Sequence, residues 1–363
     1  MWDLTSTNLL VFVILLAALS LGGVVWLTIY APRQSRRARI RHVAAVAVVA
    51  LLGQGFAVFA SGLAINNQYG FYTSWDDLFG TIAPDALIST SGLVRVGSGR
   101  LELLKIPDAG VRDNQVLTWL PPQYDQPQYR RHRFPVVMFM PAHPGNPTAV
   151  FIAFRFAKIA MTEISSGRVP PFIGVFPTIT IAPPRDTECT DVPGGPPAAS
   201  WLADAVPTYL EHHLRVAPLG RAWSAMGWSV GAFCAAKLLT QHPREFSSAV
   251  GFGGYYAAEE DSTTGRLFGG DSLQADQASP LWRANSPLDI YDNHGLNGDH
   301  LLVISGRQDR QSWKQSEQMI QASHDDPTVS YIVFPFGGHN YHDYRAYLGA
   351  ALDWAARFWT GRA

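Results

Sequence analysis

The sequence predicts an α/β protein, a mostly parallel sheet with helices on both faces, behind two long apolar segments. Three observations predict it. From about residue 93 onward, short apolar runs alternate with helix-length stretches. In their midst stands Gly227-Trp228-Ser229-Val230-Gly231, a Gly-x-Ser-x-Gly pattern with an apolar run before it and helix formers after it. Near the start, residues 8–30 and 43–66 carry no charge and are each long enough to span a bilayer.

The apolar segments come first in the chain. Only Asp3 precedes the first, so it lacks the positive flank of a cleaved signal peptide. Arg33, Arg36, Arg37, Arg39 and Arg41 lie between the two runs. The positive-inside rule keeps that loop in the cytoplasm and sends everything after residue 66 outside. Residues 1–66 therefore read as a two-span membrane anchor. Residues 67–92, with Tyr69, Phe71, Tyr72 and Trp75, read as a juxtamembrane connector. Charged residues make up only 16% of the chain and apolar ones 47%, as expected of a protein partly in lipid. The net charge of −1 and the lack of a basic stripe argue against a nucleic-acid partner.

Residues 93–363 read as the outward-facing catalytic domain. Strands are expected at 101–106, 115–120, 134–140, 172–181, 221–226, 247–253, 300–305 and 329–335, the buried ones as continuous apolar runs. Helices are expected at 150–164, 201–215, 232–240, 312–322 and 341–359. Residues 255–298 look irregular and polar, too long for a connector, and are expected to form a lid. The charged loop at 184–196 reads as a surface loop with an Asx-type turn, or as a contact for a polar headgroup.

The serine pattern points to nucleophilic catalysis. A strand that turns at once into a helix strains the residue between them and holds its side chain out at the sheet's edge. Ser229 then needs a base and an orienting acid. Asp309 follows the strand at 300–305 and His339 follows the strand at 329–335, in the order Ser…Asp…His. All three lie after parallel strands and hence at one edge of the sheet. Val230 is expected to supply one oxyanion-hole N–H. Gly145, in the loop after the strand at 134–140, is expected to supply the other, because Pro144 has none. His212, His213 and His242 read as surface or loop residues. His342, three positions past His339, lacks a third ligand, so no metal is expected. Cys189 and Cys234 are too far apart for a CxxC motif. They form either a disulfide or two separate buried thiols.

The strand-borne Gly227-Trp228-Ser229-Val230-Gly231, the following Cys234-Ala235-Ala236-Lys237-Leu238 and the segment Gly338-His339-Asn340-Tyr341…Tyr344-Arg345 resemble the esterase family that includes esterase D-type enzymes and the antigen 85 mycolyltransferases. The two spans with Gln68-Tyr69-Gly70-Phe71-Tyr72 and Asp77-Leu78-Phe79-Gly80 resemble membrane-anchored actinobacterial members. The likeness covers roughly residues 95–363. It implies an α/β-hydrolase fold, an acyl-enzyme on Ser229 and no cofactor. Asp309 stands where mycolyltransferases often have Glu, and their leucine-containing oxyanion loop differs from residues 141–146.

The expected function is a membrane-anchored serine esterase or acyl hydrolase acting on an ester or acyl substrate, such as an envelope lipid or glycolipid. The alternatives are an acyltransferase that moves the acyl group to an envelope sugar, and a non-catalytic binding module of the same fold.

Overall fold

A computed structural model of the chain describes residues 4, 6–31, 35–69, 75, 93–95, 99–107, 110–111, 114–192, 195–268, 279–335 and 338–359. It divides into two units, residues 1–82 and 83–363.

In the first unit the uncharged runs become α1 (Thr7–Ile29) and α2 (Arg36–Tyr69). Both are long and apolar enough to cross a membrane, since 23 residues at 1.5 Å each make about 35 Å of helix. They meet along Leu9, Val13, Ala60 and Leu63. Small residues let the backbones approach: a Cβ added at Gly53 would lie 3.0 Å from that of Ser20. The remaining faces leave Leu19, Leu21, Trp26, Leu51 and Val58 exposed. Of the expected connector, Trp75 packs on Phe59, ring centroids 6.0 Å apart. Phe71 and Tyr72 lie outside the described residues.

The second unit is organised on a nine-stranded sheet. Its strands are β1 (Leu93–Arg95), β2 (Arg100–Lys105), β3 (Gln115–Leu120), β4 (Val136–Met140), β5 (Ile173–Pro177), β6 (Gly220–Trp228), β7 (Phe246–Phe252), β8 (His300–Gly306) and β9 (Val329–Phe334). Their order is β1-β2-β3-β5-β4-β6-β7-β8-β9. The first three pair antiparallel, β3 is antiparallel to β5, and every later pairing is parallel. Strands β4, β5 and β7 are buried along their whole length; β4 accordingly reads as an unbroken apolar run, while in β7 Ser247 and Ser248 are buried with hydrogen bonds to the Trp223 carbonyl and the Ser224 hydroxyl. β5 and β6 flank β4, so the winding reverses there, the place at which an open α/β sheet takes its ligands. The register sets Met140 beside Gly227 and Trp228 beside Phe252, aligning the ends of β4, β6 and β7.

Helices cover both faces. One face buries Trp201, Leu210, Trp223 and Phe233. The other buries Phe139, Phe154, Phe156, Tyr344 and Leu352. The helices are α3 (Pro147–Ala153), α4 (Phe156–Ser165), α5 (Val206–His213), α6 (Val230–Gln241), α7 (Pro280–Asn285), α8 (Pro287–His294), α9 (Trp313–Ala322), α10 (Tyr341–Tyr344) and α11 (Leu348–Ala356).

Three expectations change. The helix expected at 150–164 is two helices, broken at Arg155, whose φ is 49°. Phe154 and Phe156 are both fully buried, and residues two apart point to different sides of a continuous helix. The break lets both reach the core. The stretch 255–298 is not irregular throughout: its later part folds into α7 and α8. Tyr256, Phe268 and Trp282 of this stretch are buried in the core. Gln315 accepts the Tyr256 and Ala257 N–H groups at 3.0 and 2.8 Å, and Trp282 Nε1 donates to the Ala258 carbonyl at 2.8 Å. Residues 269–278 of the expected lid lie outside the described residues. The loop at 184–196 is also no plain surface loop, because Asp186, Thr187, Glu188 and Thr190 are buried.

Cys189 and Cys234 are joined by a disulfide, Cα atoms 5.7 Å apart, between that loop and α6. The bond closes a loop with a sequence separation of 45, which in the chain-entropy account stabilises the fold by roughly 4 kcal/mol. Replacing both cysteines with Ala is expected to lower the free energy of unfolding in denaturant by about that amount. An unchanged midpoint would show that the link carries no stability.

Candidate functional site

The site begins at the β6–α6 turn. Ser229 has φ 57° and ψ −121°, a conformation that costs a non-glycine residue of order 1–3 kcal/mol. Two glycines make the turn sterically feasible. A Cβ at Gly227 would overlap the Gly231 carbonyl, and one at Gly231 would overlap the carbonyls of Met140 and Pro141. The Ser229 N–H donates to the Phe252 carbonyl at 3.0 Å, tying the turn to β7. The serine is half-buried and stands at the N-terminus of α6.

The loops after β8 and β9 bring two further side chains to it. His339 Nε2 lies 2.9 Å from Ser229 Oγ. His339 Nδ1 lies 2.8 Å from Asp309 Oδ2. The three residues that the chain order singles out thus form one hydrogen-bonded row. The Asp309 side chain is fully buried and has partners on both oxygens. Oδ1 accepts the backbone N–H groups of Gln311 and Ser312 at 3.0 and 3.3 Å. Oδ2 accepts the hydroxyls of Ser312 and Tyr344 at 2.8 and 2.6 Å, beside the imidazole. Burial pushes the carboxyl up, but the bonds from His339, Tyr344 and Ser312 and the imidazole's charge outweigh it and leave Asp309 below the ordinary carboxylate range.

Sequence reasoning missed two supporting residues. Tyr344 is buried; its OH donates to Asp309 and accepts the Gly306 N–H at 3.1 Å. Burial, then the Asp309 charge, raises its pKa, so it stays a donor. Trp228 lays its indole on the His339 ring, centroids 4.4 Å apart and planes 28° off parallel. That contact fixes the imidazole plane and offers it a π-face favourable to positive charge. Trp228 sits inside the serine pattern and Tyr344 five residues past the histidine. The signal was an aromatic at each place, which core packing explains equally well.

The Val230 N–H, in the first turn of α6 beside Ser229, has no backbone acceptor among the described residues. The loop after β4 abuts the elbow through Pro141, against Gly231. Further along, the Gly145 carbonyl accepts from Thr180 at 3.3 Å, and His143 Nδ1 lies 3.3 Å from the same hydroxyl. In the loop after β5, the Tyr255 hydroxyl donates to Glu188. Burial, together with Asp186, pushes the Glu188 carboxyl well up. Lys237 Nζ donates to the Glu188 carbonyl at 3.1 Å and to the Thr190 hydroxyl at 2.6 Å. Burial brings its pKa down to about 7. This buried network welds the loop to α6.

The remaining histidines stay apart from the row. His213 stacks on Tyr209, centroids 3.8 Å apart, and His242 pairs with Glu245 at 3.3 Å. His342 is exposed, with Nδ1 3.4 Å from Asp343. Among the described residues no three His, Cys, Asp or Glu side chains gather in a way that would hold a metal ion.

The family model described as "Putative esterase" matches residues 111–356, more than half of the chain. The chain belongs to this esterase family. A relative in Corynebacterium glutamicum, itself uncharacterized, is 25% identical over 279 residues, covering 70% of this chain and 62% of the relative. The esterase chain thus spans less than two thirds of that protein's length. Among solved structures, an S-formylglutathione hydrolase of Agrobacterium tumefaciens superposes with a TM-score of 0.60 at 14% identity, over 74% of this chain and 99% of its own. A ferulic acid esterase gives 0.58 at 17% identity, over 71% and 97%. A fluorophosphonate-binding serine hydrolase of Staphylococcus aureus gives 0.58 at 13%, over 72% and 99%. At these identities the likeness establishes the α/β-hydrolase fold of the esterase domain.

Tyr344→Phe is expected to strip one donor from Asp309 and leave the Gly306 N–H unpaired. The cost in unfolding free energy is about 1–3 kcal/mol, readable by denaturant titration. A stability equal to that of the wild type would mean that the hydroxyl holds nothing.

Proposed function

We propose that this chain is a membrane-anchored serine esterase whose catalytic domain lies outside the cytoplasm. The observation that carries the reading is the unbroken row Ser229 Oγ–His339 Nε2–Asp309, at 2.9 and 2.8 Å, in a member of an esterase family.

The chemistry follows from those positions. His339 Nε2 takes the hydroxyl proton as Ser229 Oγ attacks the ester carbonyl, while Asp309 holds the imidazole's Nδ1–H and stabilises the imidazolium. The oxyanion is met by the Val230 N–H and by a second N–H of the loop at 141–146. Pro141 and Pro144 have none, which leaves Ala142, His143, Gly145 and Asn146; Gly145 is the donor chosen from the sequence. As the tetrahedral species collapses, the C–O bond to the leaving group breaks and His339 returns its proton to that oxygen. Ser229 is left acylated. Water, deprotonated by the same imidazole, then attacks the acyl carbon, releasing the acid and restoring the serine.

The placement rests on three features that agree. Two helices are long enough to cross a bilayer. Arg33 precedes the second helix and Arg36, Arg37, Arg39 and Arg41 fill its first turns, while the apolar runs 8–30 and 43–66 carry no charge. The disulfide suits an oxidising compartment. The exposed apolar faces of α1 and α2 make sense against lipid.

A fluorophosphonate probe is expected to label the wild type and not Ser229→Ala. A folded wild type that stays unlabelled would sink the esterase reading. His339→Gln is expected to lower kcat on a short-chain ester about 10³-fold or more; near-normal turnover would mean that another residue is the base. A reporter enzyme fused after Ala363 is expected to be active only in its extracytoplasmic form, and activity of a cytoplasm-only reporter would invert the topology.

A further inference from the structure

The loop after β4 is fixed at both ends and supported by one side chain in between. Its start rests on the serine elbow: a Cβ at Gly231, two residues past Ser229, would overlap the Pro141 carbonyl. Its far end is capped into α3, where Asn146 Oδ1 accepts the Ala149 N–H at 2.8 Å and Pro147 opens the helix. Between these points the chain turns so tightly that a Cβ at Gly145 would overlap the Ala142 carbonyl. Among the described residues, Thr180 is the one side chain from outside that hydrogen-bonds the middle of the loop. Its hydroxyl lies 3.3 Å from the Gly145 carbonyl and 3.3 Å from His143 Nδ1.

Those two contacts dictate where the protons sit. A hydroxyl gives one proton and accepts through its lone pairs. The Gly145 carbonyl can only accept, so Thr180 donates to it, and both contacts are satisfied only when His143 Nδ1–H donates to Thr180. The result is one directed chain, from His143 through Thr180 to Gly145. Thr180 is itself well anchored, because Ile179 and Ile181 on either side are buried in the core and the Thr178 carbonyl accepts from Trp201 Nε1 at 2.9 Å. The backbone N–H groups of Ala142, His143, Gly145 and Asn146 have no backbone acceptor among the described residues. The loop thus has its carbonyl and imidazole tied down and its N–H donors unspent.

We propose that Thr180 is a positioning residue for the ester reaction, its hydroxyl holding the loop at 141–146 where one of the loop's N–H groups meets the oxyanion. This rests on the esterase reading. The ester oxygen gains its charge only as the tetrahedral species forms, and a donor stabilises it well only at about 2.7–3.1 Å. A loop without its middle support keeps its donors and loses that distance. Thr180, His143 and Gly145 are all partly exposed, so water can replace the missing hydroxyl and the fold is little weakened.

The test is steady-state turnover of p-nitrophenyl butyrate by the full chain in detergent micelles, with the midpoint of denaturant unfolding read for every variant. Thr180→Val removes the hydroxyl and keeps the branched shape. It is expected to lower kcat about 10- to 100-fold. KM is expected to stay within about twofold, so that kcat and kcat/KM fall together, as they do when an interaction made only in the transition state is lost. The unfolding midpoint is expected to match that of the wild type. Thr180→Ser, which keeps the hydroxyl and loses the methyl, is expected to recover most of the rate. Where Thr180→Val does not fold, Thr180→Ala supplies the same comparison. A wild-type kcat in the variant that lacks the hydroxyl overturns the proposal. So does a loss that Thr180→Ser fails to recover, which assigns the effect to packing of the methyl, and so does a raised KM at constant kcat, which makes Thr180 a substrate contact. Failure of the esterase reading shows separately, as a wild type that neither turns over the ester nor takes a fluorophosphonate label.

Discussion

Everything at the candidate site depends on one strained backbone position. Ser229 sits where a parallel strand must become a helix within a single residue, and a left-handed φ is the geometric cost of that turn. The strain persists because the surroundings leave no other path. Gly227 and Gly231 pack where any side chain would overlap backbone, and the Ser229 N–H is pinned to β7. Relaxing the turn would mean separating α6 from the sheet and opening a core that buries Phe233, Cys234 and Leu238. The stability of the sheet thus holds a hydroxyl in a place that the hydroxyl's own conformational preference disfavours.

The polar groups around that hydroxyl follow a second constraint, which is that buried charge must be satisfied. Asp309 is the most enclosed member of the row, and its two oxygens receive five donors from His339, Ser312, Tyr344 and the backbone. Those donors keep it ionised and also fix its direction, since an acceptor held from several sides cannot rotate. Glu188, packed against Lys237 of α6, meets the opposite fate. Burial is not outweighed there, and its carboxyl is pushed up. Two buried acids near one sheet edge therefore take opposite protonation preferences, and the difference lies in their donors.

The order Ser…Asp…His was legible in the sequence because parallel strands place their following loops at one edge, so spacing in the chain becomes proximity in space. The support for that row was not legible. Trp228 and Tyr344 read equally well as core aromatics, and only the packing of α10 against β8 turns the tyrosine hydroxyl toward Asp309. The broken helix at Arg155 was hidden for a related reason. Periodicity reports which side of a helix is apolar, whereas Phe154 and Phe156 demand two directions at once. The polar look of residues 255–298 concealed Tyr256, Phe268 and Trp282, which are scattered in sequence and converge only when the stretch folds over α6.

By itself the sequence determined the alternation of strand and helix, the two apolar spans and the serine elbow. These are local matters: hydrophobic period, absence of charge, and glycines where backbone must meet backbone. The pairing of Cys189 with Cys234, left open by spacing alone, was decided by the approach of the β5 loop to α6. The approach of Thr180 to the loop after β4 was decided likewise, by the pairing of β5 with β4. Both depend on which elements become neighbours, and that is set by the summed burial of two core faces, which no single window of residues contains.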